Sequence, residues 1–65
     1  MDDEQENEGY IVEFVSVGTA MKVTAIDTAT MREVSMIGNP KLTQKELARI
    51  AVEKLKYVLE KEKNT

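Results

Sequence analysis

The chain contains no histidine and no cysteine. Imidazole general bases, thiol nucleophiles, disulfides and Cys/His metal sites are therefore ruled out. Carboxylate, amine and hydroxyl chemistry is what remains. Asp27 and Glu33 flank a turn and belong to different structural roles, so they do not read as a paired acid and base. Gly9, Gly18 and Gly38 stand far apart and build no loop that would cradle a phosphate. A lone carboxylate or lysine needs a pocket to become reactive, and 65 residues leave little room for one. The expectation is a protein that is not an enzyme and uses no catalytic residue, cofactor or metal.

The elements that would position any binding residues are easier to read. Leu42 to Lys63 is organised as one C-terminal helix. Thr43 is set to cap the first free N–H groups, and Glu46 to reach back to the Thr43 backbone as a capping box. Leu42 and Leu47 fall at the positions of a hydrophobic staple. Leu47, Ile50, Ala51, Leu55 and Val58 recur at helical spacing, with Ala48, Val52 and Leu59 widening the stripe enough to cover a small sheet.

Upstream, Tyr10 to Val17 is rich in β-branched and aromatic residues and reads as a strand. Gly18-Thr19 suits a two-residue type II′ turn, with glycine at the first central position. Ala20 to Asp27 follows as a second strand. Asp27 to Thr30 forms a second turn, in which Asp27 can bond its own backbone. Met31 to Ile37 is the third strand, and Gly38-Asn39-Pro40 ends it.

The expected register pairs Val17 with Ala20, Phe14 with Val23, and Val12 with Ala25. Closing the second turn with Asp27 facing Thr30 pairs Val23 with Val34 and Met21 with Met36. One face then holds Tyr10, Val12, Phe14, Met21, Val23, Ala25, Val34 and Met36, and the helix belongs on it. Slipping a strand by one residue would turn its side chains to the other face. The predicted class is α+β: a three-stranded antiparallel β-meander, order 1-2-3, packed against one C-terminal α-helix, a β-β-β-α unit.

A single chain of 65 residues makes one domain, near the lower limit for folding without staples. Residues 9–63 form it. Residues 1–8 carry five acidic residues and no apolar one after Met1, and are expected to be a disordered acidic tail. Residues 41–65 carry seven Lys/Arg against four Glu, so the net charge of −3 conceals a mildly basic helix. No apolar run is long enough to span a membrane, and no basic-then-apolar leader opens the chain. A cytoplasmic protein without membrane attachment is expected.

The second sheet face is the anomaly. It carries Glu13, Lys22, Thr24, Glu33 and Ser35, but also Ile11, Val15, Val17, Ile26, Met31 and Ile37. The expected pairing sets Ile11 against Ile26 and Ile26 against Met31, with Val17, Ala20 and Ile37 at the other end. One helix cannot cover both faces, and a contiguous apolar patch marks an interface. Ile11, Val15, Val17, Ile26, Met31 and Ile37 are therefore the candidate protein interface. The partner would be a second copy or another protein, met through this face or a strand edge. The competing reading is a monomer whose β-branched surface reflects strand propensity alone.

On the helix, Arg49 and Glu53, then Lys56 and Glu60, are spaced as i,i+4 pairs on a solvated side. Lys54 and Lys61 lie nearer the apolar border, with Ile50 and Tyr57. Tyr10 and Phe14 read as core, and Tyr57 as an edge residue with a wet hydroxyl. Arg32 falls on the inner face at the sheet end, where it can reach past the helix C-terminus and pair with Glu62 or Asp27.

The run Val23-Thr24-Ala25-Ile26-Asp27, then Glu33-Val34-Ser35, Ile37-Gly38 and Leu55-Lys56-Tyr57-Val58-Leu59-Glu60, resembles a family of small uncharacterised alphaproteobacterial proteins over roughly residues 10–61. The resemblance implies no assigned activity. It also implies a glycine after the second-turn threonine, where this chain has Met31. More loosely, β-β-β-α with a Thr43-Gln44-Lys45 helix start is similar to the C-terminal part of a double-stranded RNA-binding domain. In that family the helix start grips phosphates. The resemblance would make Lys41, Thr43, Lys45 and Arg49 an alternative RNA-binding set, although that family's first helix has no counterpart here. Reading DNA with the open face would need more cations or aromatics than that face carries.

Overall fold

The computed structural model describes residues 2–7 and 9–63, with residues 2, 3 and 5–7 described through their backbone alone. The elements run β1 (Asp2–Asn7), β2 (Tyr10–Val17), β3 (Ala20–Asp27), β4 (Glu33–Gly38) and α1 (Gln44–Lys63). Among the described residues the strands make one antiparallel sheet in the order β1-β2-β3-β4. The predicted three-stranded meander and its C-terminal helix are present as β2, β3, β4 and α1.

The β2–β3 hairpin has the expected register, from Val17 opposite Ala20 to Tyr10 opposite Asp27. Gly18 has φ 60°, and Thr19 has no positive φ, as a type II′ turn requires. The β3–β4 connection is longer than expected. Asp27 N donates to Arg32 O at 2.8 Å, and Met31 N to Asp27 O at 2.7 Å, so Asp27 faces Arg32 rather than Thr30. Asp27 itself holds the longer loop. Its carboxylate accepts from Ala29 N and from Thr30 Oγ1, both at 3.0 Å, and Thr30 Oγ1 accepts from Arg32 N at 3.3 Å. Met31 closes the loop with φ 63°.

The extra loop length moves β4 by two positions along β3. Val23 pairs with Met36, Ala25 with Val34, and Met21 with Gly38, in place of the predicted Val23–Val34 and Met21–Met36. Ile26 faces Glu33 rather than Met31, and Ile37 faces Lys22 rather than Ala20. A shift of two preserves the alternation, so the predicted inner face survives intact. Val12, Phe14, Val23 and Ala25 are buried against Leu47, Ala48, Ala51, Val52 and Leu55, with Tyr10, Met21, Val34, Met36, Leu42 and Leu59 packed around them.

Residues 1–8 were expected as a disordered tail, and most of that segment is placed differently. Asp2–Asn7 pairs with Tyr10–Val17 as an edge strand, Asp2 opposite Val15 and Asn7 opposite Tyr10. Met1 and Glu8 lie outside the described residues. The physical reason lies in β2, whose outer edge offers a row of backbone donors and acceptors that an extended chain can satisfy whatever its side chains. Gly9, at φ 84°, supports the reversal, and Thr28 Oγ1 donates to Gly9 O at 3.1 Å, tying that turn to the β3–β4 loop.

The helix starts as its sequence dictates. Glu46 N donates to Thr43 Oγ1 at 3.1 Å, and Thr43 N donates to Glu46 Oε1 at 3.0 Å, which is a complete capping box. Asn39 sets the approach: its side chain accepts from Lys41 N at 2.9 Å and its carbonyl from Leu42 N at 3.0 Å. The helix then runs antiparallel to β4. Leu47 lies against Gly38 at one end, and Arg32 forms an ion pair with Glu62 at the other.

Candidate functional site

The helix covers one face of the sheet, and among the described residues no element covers the other. Strand register arranges that open face in rows. One row runs Ile11, Ile26, Glu33; the next runs Glu13, Thr24, Ser35; the third runs Val15, Lys22, Ile37; Val17 and Ala20 end the sheet. Thr24 Oγ1 and Ser35 Oγ share a hydrogen bond at 2.8 Å, so the middle row is polar and partly self-satisfied.

Of the predicted interface residues, Ile11, Val15, Val17, Ile26 and Ile37 share this face. Ile11, Val15 and Ile26 are half-buried by their neighbours, whereas Val17 is 54% and Ile37 66% exposed. Met31 does not join them. It sits in the β3–β4 loop, 72% exposed, because the longer turn removes it from the strand. The apolar groups therefore stand as Ile11 and Ile26 on one side of the polar row, and Val15, Ile37 and Val17 on the other. Lys22 lies between Val15 and Ile37.

The acidic edge strand borders this face, with Glu4 directly across from Glu13. Like charges opposite one another weaken a strand pair, so β1 is held by backbone bonds against a side-chain cost at this position. The sequence holds one signal for this strand that composition concealed: Gly9, immediately before Tyr10, is a turn residue.

The alternative RNA-binding set gathers as predicted at the start of α1. Lys41, Lys45 and Arg49 are exposed there, and Thr43 is the N-cap. The chain's own carboxylate, Glu46, folds back on this helix start. Hydrogen bonds from the Thr43 backbone N–H and then its hydroxyl, opposed in part by desolvation and helped by the Arg49 charge, hold the Glu46 pKa below its usual value. A phosphate bound there would meet the like charge of that carboxylate.

A shallow open cleft of about 500 Å³ lies where the β3–β4 loop meets the end of the helix, lined by Asp27, Thr30, Arg32, Leu59, Glu62 and Lys63. Four of its polar groups hold the fold: Asp27 braces the loop with Thr30, and Arg32 pairs with Glu62. Among the described residues no group of three or more carboxylates is placed to hold a metal ion. No helix there is long and apolar enough to cross a membrane.

One family model, described as "Domain of unknown function (DUF6898)", matches residues 7–62. That span covers β2, β3, β4 and α1. Neither the curated proteins nor the solved structures contain a match to the chain.

Proposed function

We propose that this chain, which belongs to the DUF6898 family, is a protein-interaction module that self-associates by burying the open face of its sheet against a second copy. The observation that carries the reading is the apolar content of a face that no described element covers: Ile11 paired with Ile26, and Val15 and Ile37 flanking Lys22. Nine side chains make the fully buried core among the described residues, which is small, and a second sheet would add to the apolar interior available to each copy.

The charges favour a symmetric arrangement. A two-fold axis lying along the middle row would set the Ile11–Ile26–Glu33 row of one copy over the Val15–Lys22–Ile37 row of the other, in the manner of aligned sheets. Lys22 would then lie beside the partner's Glu33. Glu13, in the middle row, would meet its own counterpart, and this is the arrangement's main cost.

Magnitudes set the range to test. Covering the remaining exposed part of an Ile or Val contributes roughly 1 kcal/mol. Val17, Ile37, Ile11, Val15 and Ile26 on two copies then supply about 10 kcal/mol, set against an association cost of about 4–15 kcal/mol. At the low end of that cost the balance is about −6 kcal/mol, a reversible dimer with a dissociation constant on the order of tens of micromolar.

Sedimentation equilibrium across that range, at low and high salt, is the test. A dimer that survives high salt, is lost in Ile26→Asp, and is weakened in Ile26→Thr supports the reading. The threonine variant retains strand propensity, so its loss of association is not a loss of fold. Glu13→Gln should strengthen the dimer by removing the like charges at the axis. A monomer at all concentrations, or a dimer indifferent to Ile26, refutes the reading. RNA binding at the helix start has no comparable support, because Glu46 adds a negative charge there.

A further inference from the structure

The two edges of the sheet are finished differently. β1 closes one with Asp2, Asp3, Glu4 and Glu6 among its six residues. β4 closes the other, and Glu33 is its only charged residue. Charge on an edge strand discourages further pairing, and β4 lacks that protection. Its register determines which backbone groups are on offer. Asp27 N donates to Arg32 O, so these two residues form a hydrogen-bonded pair. Antiparallel pairs alternate. Val34, Met36 and Gly38 therefore turn their backbone groups toward β3, and Glu33, Ser35 and Ile37 turn theirs outward. Among the described residues no strand pairs with that outer row.

The helix supplies a wall above this edge. Lys56 Nζ lies 5.8 Å from the centre of the Tyr10 ring, which turns the Lys56 side of α1 toward β2. Leu47 lies against Gly38 of β4 on the opposite side, and Ile50, Lys54, Tyr57 and Lys61 continue that side at i,i+3 and i,i+4 spacing. Ile50 is half-buried, as are Val34 and Met36 on the strand below. Tyr57 is 63% exposed, with Lys61 Nζ 5.5 Å from its ring centre, and Lys54 is exposed. The neighbouring acids leave these cations uncancelled. Glu33 lies on the other face of the sheet, Glu62 is paired with Arg32, and Glu46, Glu53 and Glu60 lie farther round the helix.

We propose that the β4 edge takes an extended segment of another protein as an added strand, with acidic side chains at the positions that face the helix. Main-chain bonds to Glu33, Ser35 and Ile37 supply affinity, and Lys54 and Lys61 select the side chains. Ile50 and Tyr57 cover the apolar stems of those side chains. A second copy fits this edge less well. Leu47 at Gly38 and Glu62 at Arg32 mark the two ends of the helix along β4, so Lys54 stands level with Ser35. Two β4 strands pairing about Ser35 would set Lys54 against its own counterpart. The edge lies apart from the open face, so occupation of one leaves the other accessible.

A peptide titration of the full chain tests the proposal. The probe is an acetylated and amidated octapeptide alternating glutamate and threonine, which presents acid along one side of an extended strand. A second peptide carries lysine in place of glutamate, and a third is the acidic one with every backbone amide methylated. NMR follows the shifts and the solvent exchange of the Glu33, Ser35 and Ile37 amides. The acidic peptide should shift these three signals, slow their exchange, and bind less well as salt rises. The lysine peptide and the methylated peptide should leave them unchanged. In the double variant Lys54→Glu, Lys61→Glu, checked for folding by circular dichroism, the acidic peptide should bind about tenfold more weakly and the lysine peptide should bind in its place. Absence of any response up to millimolar peptide, equal response to the acidic and lysine peptides, undiminished binding of the methylated peptide, or a folded double variant with wild-type preference would each overturn the proposal. So would a response centred on Lys41 and Lys45 at the helix start. Amides that are protected without peptide and lose protection on dilution would also overturn it, because a second copy then fills the edge.

Discussion

Met31 is the residue whose replacement should make the protein more stable. Its φ of 63° places it in the left-handed region, where a side chain meets the following carbonyl. For an L-residue this costs about 1–2 kcal/mol, and glycine escapes it. Nothing of comparable size is lost on truncation, because Met31 is 72% exposed. Its backbone hydrogen bond, Met31 N to Asp27 O, needs no side chain. Glycine does enlarge the unfolded ensemble, at about 0.4–1 kcal/mol. The net expectation for Met31→Gly is a gain of about 0.5–1 kcal/mol, which in a domain of this size raises Tm by about 2–8 °C.

Thermal and urea unfolding, followed by far-UV circular dichroism at one fixed protein concentration, is the assay. Concentration must be held constant because any self-association is linked to stability. Met31→Ala is the control: it removes the same exposed side chain but keeps the Cβ, so it should gain nothing. Met31→Asn should fall between, since asparagine tolerates this region better than most residues. If glycine proves no more stable than alanine, the strain argument is wrong. The same variant bears on the interface. Met31 lies in the loop, away from the open face, so its replacement should leave association unchanged.

Three further outcomes follow from the other end of the helix. A Cβ built on Gly38 would lie 2.5 Å from Leu47 Cδ2, and Leu47 is buried with little room to retreat. Gly38→Ala should therefore destabilise by about 1–3 kcal/mol in urea unfolding, and Leu47→Ala in the same molecule should recover part of the loss, as overpacking predicts. Thr43→Ala removes the N-cap hydroxyl and should cost about 0.5–2 kcal/mol by the same assay. The capping carboxylate gives the pH dependence: because the folded-state pKa of Glu46 is depressed, its contribution is present above the ordinary carboxylate value and is lost as pH falls through the folded value. Glu46→Gln should flatten that acid-side slope, and a slope unchanged from wild type would assign it to other carboxylates.

What could be read from sequence is what local chemistry decides. Gly18 fixed its turn, and with it the whole β2–β3 register, because glycine followed by a residue such as Thr19 suits a two-residue type II′ turn. Thr43 and Glu46 fixed the helix start because the capping box is a contact between residues three apart. The inner face was legible even though the second hairpin was misjudged. Its error was an even number of residues, which strand alternation forgives. The loop itself was not legible, because Asp27 can brace either a short turn or the longer one. The choice depends on how β4 meets the helix, with Gly38 brought under Leu47. β1 was hidden for a different reason: it adds backbone pairing to an edge rather than apolar side chains to a core, and hydrophobic patterning registers only the second.

The open face would be unremarkable if strand propensity alone had shaped it. Threonine serves propensity as well as isoleucine does, and Thr24 occupies the middle row in that capacity, bonded to Ser35. On one side of it the chain pairs Ile11 with Ile26, and on the other it sets Val15 and Ile37 on either side of Lys22, larger apolar groups that a solvated face does not require. The acidic strand bears on the same question. β1 pairs with β2 despite setting Glu4 against Glu13, so a polar, like-charged strand protects the edge while the face beside it stays apolar. In Ile26→Thr the strand is kept and the apolar pair removed, so the association of that variant separates a face built for contact from one that is merely β-branched.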